Sequence, residues 1–197
     1  VSINYGTGLI TLTASESVSG INVGEFARPD FYDSDNDGDL DLFVGAKDGR
    51  IYYFENLRLG SGSIGSNFFA KRDTSPIAAL NSLERVPNGY AGIKFGDFNN
   101  DQVVDIAVFN RDGSYVKFMT GTATGFTQEN YNPFRYDTTA LTEQMYDVAP
   151  FTNGNVLFAY RSGGDSRILD GAVLGTTGGP NTVTNADVAI QVSEDYL

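Results

Sequence analysis

Carboxylates recur at every second position in one short stretch of this chain: Asp33, Asp35, Asp37, Asp39 and Asp41, with Gly38 after the third. That is five Asp within nine residues, with no Lys or Arg among them. So many anions converging on one point repel one another unless a cation sits between them. A second stretch, Asp97, Asn99, Asp101 and Asp105, repeats the offsets of Asp33, Asp35, Asp37 and Asp41. Calcium is a hard cation that takes about six to eight oxygens at roughly 2.3–2.6 Å. Alternate residues of a tightly curved loop can aim side-chain oxygens inward, and a backbone carbonyl fills the remaining gap. Asp39 and Val103 stand where that carbonyl is expected. Val103 has no side-chain oxygen to offer, which supports the backbone role there.

The spacing therefore predicts two Ca2+ sites, with the second the weaker. Gln102 replaces Gly38 at a position that suits a left-handed backbone, and Asn99 removes one charge. Asx-turns without metal are the alternative reading of both loops. An EF-hand is excluded, because it needs a Glu at loop position twelve and flanking helices. Counted from Asp33, that position is Val44, in a strand-like run. Magnesium fits less well, since it seldom uses an all-protein cage with this many ligands.

The elements that carry these loops recur with them. Asp33 to Phe54 overlays Asp97 to Phe118 without gaps at an offset of 64 residues. Each copy predicts a loop, a short apolar strand, a tight turn and a second strand. The strands are Leu40–Gly45 and Arg50–Phe54 in the first copy, Val103–Phe109 and Ser114–Met119 in the second. The turns are Lys47-Asp48-Gly49 and Arg111-Asp112-Gly113, where Asp-Gly is a strong hairpin signal. A degenerate third copy is expected within 147–171, with strands Val156–Tyr160 and Arg167–Leu169, a Gly163-Gly164 turn and no loop acids. Strand-like stretches at Ile3–Thr13 and Val183–Val192 suggest pairing of the two ends. Gly60–Ser66 and Thr122–Asp137 read as surface loops, and Ser75–Arg85 as a helical turn or two capped by Ser75.

Composition narrows the function. The chain has 197 residues, 41% hydrophobic, with 14 Phe, 11 Tyr and 23 Gly, which favours many short strands in one folded domain spanning 1–197. A net charge of −12 argues against nucleic acid and anionic membrane as partners. There is no Cys and no His, so disulfides, thiol chemistry, a Cys-ligated zinc site and a Ser-His-Asp triad are closed. No run of about 18 apolar residues suggests a membrane span. The start at Val1, without Met, fits a processed, secreted chain or an excised piece.

The motif Asp33–Asn56, preceded by Ala27-Arg28-Pro29-Asp30-Phe31, resembles the FG-GAP/VCBS repeat of integrin-like β-propellers, as does the Phe95-Gly96-Asp97 start of the second copy. The resemblance implies blades of four antiparallel strands with calcium between the first two. It implies side-chain ligands Asp33, Asp35, Asp37 and Asp41 with the Asp39 carbonyl, and Asp97, Asn99, Asp101 and Asp105 with the Val103 carbonyl. The expected fold is all-β, a small or partial β-propeller of three to four blades. Its repeats span about 27–60, 91–121 and 147–171. The expected function is a calcium-stabilised extracellular structural or interaction module of an adhesion, surface-layer, filament or matrix component. A protein partner or self-assembly is expected. A glycan-binding propeller is the alternative, with Tyr52, Tyr115 or Tyr160 exposed. A polysaccharide-degrading enzyme is disfavoured, because Glu84, Asp137 and Glu143 show no catalytic-pair spacing.

Overall fold

The computed structural model describes residues 2–4, 9–11, 21–57, 69–83, 85–112, 115–128, 134–136, 144–150, 156–162, 165–171, 181–183 and 188–192. The strands are β1 (Ser2–Asn4), β2 (Leu9–Thr11), β3 (Arg28–Tyr32), β4 (Asp41–Gly45), β5 (Ile51–Asn56), β6 (Phe69–Arg72), β7 (Gly92–Gly96), β8 (Asp105–Phe109), β9 (Val116–Thr122), β10 (Gly125–Gln128), β11 (Phe134–Tyr136), β12 (Gln144–Pro150), β13 (Val156–Ser162), β14 (Asp165–Gly171), β15 (Asn181–Val183) and β16 (Val188–Val192). One short helix, α1 (Ala78–Asn81), falls between β6 and β7. The fold is all-β. No helix among the described residues is long and apolar enough to cross a membrane.

Three antiparallel sheets of four strands dominate, in the orders β3-β4-β5-β6, β7-β8-β9-β10 and β12-β13-β14-β16. The first two are simple meanders, which short turns between antiparallel strands produce. Both central hairpins form where the apolar runs and Asp-Gly turns predict them. In the first, the Gly49 amide donates to the Ala46 carbonyl at 3.0 Å, with Gly49 at φ 83°. β4 and β8 are buried along their whole length, as continuous apolar runs require when both faces of a sheet are covered.

The core lies between the first two sheets. Phe43 and Tyr53 from one side meet Ile93, Ile106, Val108 and Met119 from the other. Tyr32 stacks on Phe95 with ring centroids 4.7 Å apart. Backbones come close here too: a Cβ at Gly45 would lie 2.3 Å from the Ala91 carbonyl oxygen, so only glycine fits. The inner strands follow one another, β3 packing on β7 and β7 on β12. Polar ties cross both junctions. The Asp30 carboxylate accepts the Phe95 amide at 2.8 Å, and Lys94 pairs with Asp147 at 3.6 Å.

Four expectations need correction. Thr122–Asp137, read as a surface loop, carries β10 and β11. The gapless overlay fails past the turn, because Phe54 faces Leu42 while Met119, not Phe118, faces Ile106. The second hairpin is one residue longer: Ala46 bonds to Arg50, whereas Asn110 bonds to Tyr115. The terminal strands do not pair with each other, since β1 joins β2, β15 lies parallel to β11 and β16 joins β14. The helix begins at Ala78 with Ile77 as its cap residue, so Ser75 does not cap it. Its hydroxyl instead accepts the Ile77 amide at 3.0 Å, in a local turn that leaves the helix two residues shorter at its start. Gly60–Ser66, Gly163-Gly164, Glu84, Asp137 and Glu143 lie outside the described residues.

Candidate metal centre

The loop 33–40 joins β3 to β4, and the loop 97–104 joins β7 to β8. Their backbones follow one path. Asn36 and Gly38 stand at φ 61° and 95°; Asn100 and Gln102, each 64 residues on, stand at 62° and 69°. Two left-handed residues in each loop curl its amides toward its own side-chain oxygens.

The hydrogen bonds repeat residue for residue. Asp33 Oδ2 accepts the Gly38 amide at 3.1 Å, and Asp97 Oδ2 the Gln102 amide at 2.9 Å. Asp35 accepts the Asp37 amide at 3.2 Å, and Asn99 the Asp101 amide at 3.0 Å. Asp37 accepts the Asp39 amide at 3.0 Å, and Asp101 the Val103 amide at 2.8 Å. The last two pairs are Asx-type bonds from a short polar side chain to the amide two residues ahead, the first pair reaches five residues ahead, and together they wind the loop.

Asp41 and Asp105 are different. Both are only 2% exposed, at the first residue of a central strand. Asp41 accepts the Ser34 amide at 3.3 Å and the Asn56 amide at 2.8 Å. Asp105 accepts the Phe98 amide at 2.9 Å and the Gly121 amide at 2.8 Å. These two carboxylates pin the start of the loop to the end of the third strand, a role the spacing of the acids does not announce. Asp41 Oδ1 and both oxygens of Asp105 each accept one amide and keep a lone pair, so at those three oxygens the pin and a metal bond are compatible.

In the first loop, the carboxylate oxygens of Asp33, Asp35 and Asp37 lie within 4.8 Å of one another. Oδ1 of Asp33 and Oδ1 of Asp39 are buried and accept no hydrogen bond. Buried acceptors without donors are costly, and a bound cation is the partner that oxygens crowded this way lack. Asp39 thus offers a side-chain oxygen as well as the carbonyl expected of it. Burial, then the surrounding acids, hold Asp35 and Asp39 above the usual carboxylate range, the Asp37 amide opposing the rise at Asp35. Burial likewise pushes Asp105 up to about 6; the Gly121 and Phe98 amides oppose it, and Asp101 and Asp97 add to it. A divalent cation held among these oxygens would oppose all three rises. The donor set is all oxygen, which is the chemistry of a hard cation. The residues fit the group.

Of the three tyrosines considered for sugar contact, Tyr52 and Tyr115 are partly covered, and the side chain of Tyr160 lies outside the described residues. Tyr52 is half-buried, with its hydroxyl donating to Asp48 at 2.9 Å and Lys71 over its ring at 4.6 Å. Tyr115 is half-buried as well.

No curated protein and no solved structure matches the chain. A family model does match, over residues 33–108, the stretch that begins with the first acidic loop and ends within the strand after the second. That stretch of the chain is similar to an FG-GAP-like repeat.

Proposed function

We propose that this protein is a calcium-stabilised extracellular structural or interaction module, and that its three sheets are blades of a small or partial β-propeller. One observation carries the reading. Two loops, 64 residues apart, share backbone path and amide-to-carboxylate bonds, and the first leaves buried Asp33 and Asp39 oxygens without a donor. Asp33, Asp35, Asp37 and Asp41 with the Asp39 carbonyl would hold one ion. Asp97, Asn99, Asp101 and Asp105 with the Val103 carbonyl would hold a second, more weakly. Calcium there supplies charge neutralisation and a fixed centre for the loop.

External supply suits such sites. Extracellular modules bind calcium near roughly 10⁻⁴–10⁻³ M, which calcium outside the cell saturates and cytosolic calcium does not. With no Cys in the chain, the ion takes the stapling role that disulfides have in other secreted domains. The packing of β3 on β7 and β7 on β12 supports a radial set of blades. A set of three leaves strands at its ends for another subunit to cover. The role is binding and structure rather than catalysis, in keeping with the missing His and Cys.

The test is a thermal melt in chelator against calcium, beside sizing and a count of bound ions. Two ions per chain and a melting temperature raised on the order of 10 °C are expected, since each site adds about 2.7 kcal/mol at hundredfold excess. Identical melts and no bound calcium would defeat the proposal.

A further inference from the structure

The offset that relates the two acidic loops also relates a second set of residues, at the opposite end of the same strands. Phe26 and Tyr90 lie 64 residues apart, and so do Lys47 and Arg111. Phe26 and Tyr90 both stand in the left-handed region, at φ 58° and 53°, where bulky side chains are strained. Their rings meet edge to face with centroids 4.9 Å apart. The Arg111 guanidinium carbon lies 5.1 Å from the Phe26 centroid and 5.3 Å from that of Tyr90. The Lys47 ammonium lies 5.8 Å and 6.0 Å from the same two centroids. Backbone bonds hold this corner together: the Lys47 amide donates to Glu25 and the Tyr90 amide to Lys47, both at 3.0 Å.

The two cations are not equally satisfied. Lys47 is ion-paired with Glu25. Arg111 has no carboxylate within ion-pair distance among the described residues. Phe26 remains 50% exposed beside it. In a chain of net charge −12, two cations converge here and one lacks an anion. Backbone strain concentrates where a ligand is clamped. A planar guanidinium suits a carboxylate, and the open part of the Phe26 ring suits an apolar face next to it. A pyranose ring bearing a carboxylate presents both groups at that distance, whereas an acidic peptide side chain carries its carboxylate on a flexible stem.

We propose that Phe26, Tyr90, Lys47 and Arg111 form a binding site for a sugar acid, such as a uronic-acid unit of an acidic polysaccharide. This site is independent of any metal in the acidic loops. Calorimetric titration of the full chain with a short oligogalacturonate, in a fixed calcium buffer, tests it. A neutral galactose oligomer and an oligoglutamate serve as the other arms. The sugar acid binds, the neutral sugar does not, and Arg111→Gln weakens binding roughly tenfold or more. Lys71→Gln, on the edge strand β6, leaves it unchanged. Phe26→Gly relieves the left-handed strain, so it removes binding while the melting temperature holds. A ring pair that only staples the sheets would lower that temperature and leave binding intact. The proposal fails if the wild type does not bind, if both charge variants weaken binding equally, or if oligoglutamate binds as tightly as the sugar acid.

Discussion

The two acidic loops share a backbone but not a lining, and the difference lies beneath Asp41 and Asp105. Under the first loop, the Ser34 hydroxyl donates to Asp41 Oδ2, and the Tyr53 hydroxyl does so at 3.3 Å. In the second, the equivalent positions hold Phe98 and Phe118, whose rings meet at 5.2 Å. The third strand differs as well. Asn56 Nδ2 donates to the Leu40 carbonyl at 3.0 Å, whereas a Cβ at Gly121 would lie 2.1 Å from the Val104 carbonyl oxygen. One copy surrounds its buried carboxylate with hydroxyls and amides. The other surrounds it with rings and close-packed backbone. Polar neighbours stabilise the charged form, and apolar ones raise its cost. A single motif therefore stands on two grounds, one built for charge and one for packing.

Breaking the packing should produce the largest effect. Phe98 is fully buried, so Phe98→Ala is expected to cost about 3–5 kcal/mol in chemical denaturation. Ser34→Ala, which removes one hydroxyl donor to a carboxylate, is expected to cost about 1.5–3 kcal/mol. Equal costs would erase the contrast. Next comes the metal. Asp37→Ala should abolish most of one site's stabilisation by calcium, about 2.7 kcal/mol at hundredfold excess. Asp101→Ala should lose less, because its loop starts with one charge fewer. A larger loss from Asp101→Ala would reverse the proposed ranking of the sites.

Acidity gives a finer comparison. Asp105 is raised to about 6 from an ordinary 3.8, so the folded chain holds its proton up to a higher pH than the unfolded chain does. The stability this contributes is complete below about pH 4 and disappears as pH rises through about 6. In chelator the melting temperature should fall across that window, and in Asp105→Asn the fall should shrink. Calcium favours the ionised acid and should invert the slope. A chelated protein that grows steadily more stable from pH 4 to 7 would contradict the apolar setting of Asp105. The smallest effect concerns Gln102. At φ 69°, Gln102→Gly should stabilise the chain by roughly 0.5–1 kcal/mol, measured without calcium.

Much of this was legible in the residues. Continuous apolar runs and Asp-Gly turns placed β4, β5, β8 and β9, because local chemistry decides them. β3 was harder to read, since Pro29 and Asp30 look like turn residues. Asp30 sits in a strand for a non-local reason, as acceptor of an amide 65 residues away. The acids of each loop could be found by spacing. The pins to Asn56 and Gly121 could not, because their partners lie 15 and 16 residues downstream. Phe26 and Tyr90 did hold the repeat's offset, but an aromatic residue gives no sign of a left-handed backbone.

The pins carry a consequence for motion. Each ties the mouth of a loop to the far strand of its hairpin, so the curl cannot loosen without unzipping the sheet beside it. The backbone protons of Asn56 and Gly121 should therefore exchange with solvent in step with ion release. They would report the state of each loop separately, from positions that touch no ion.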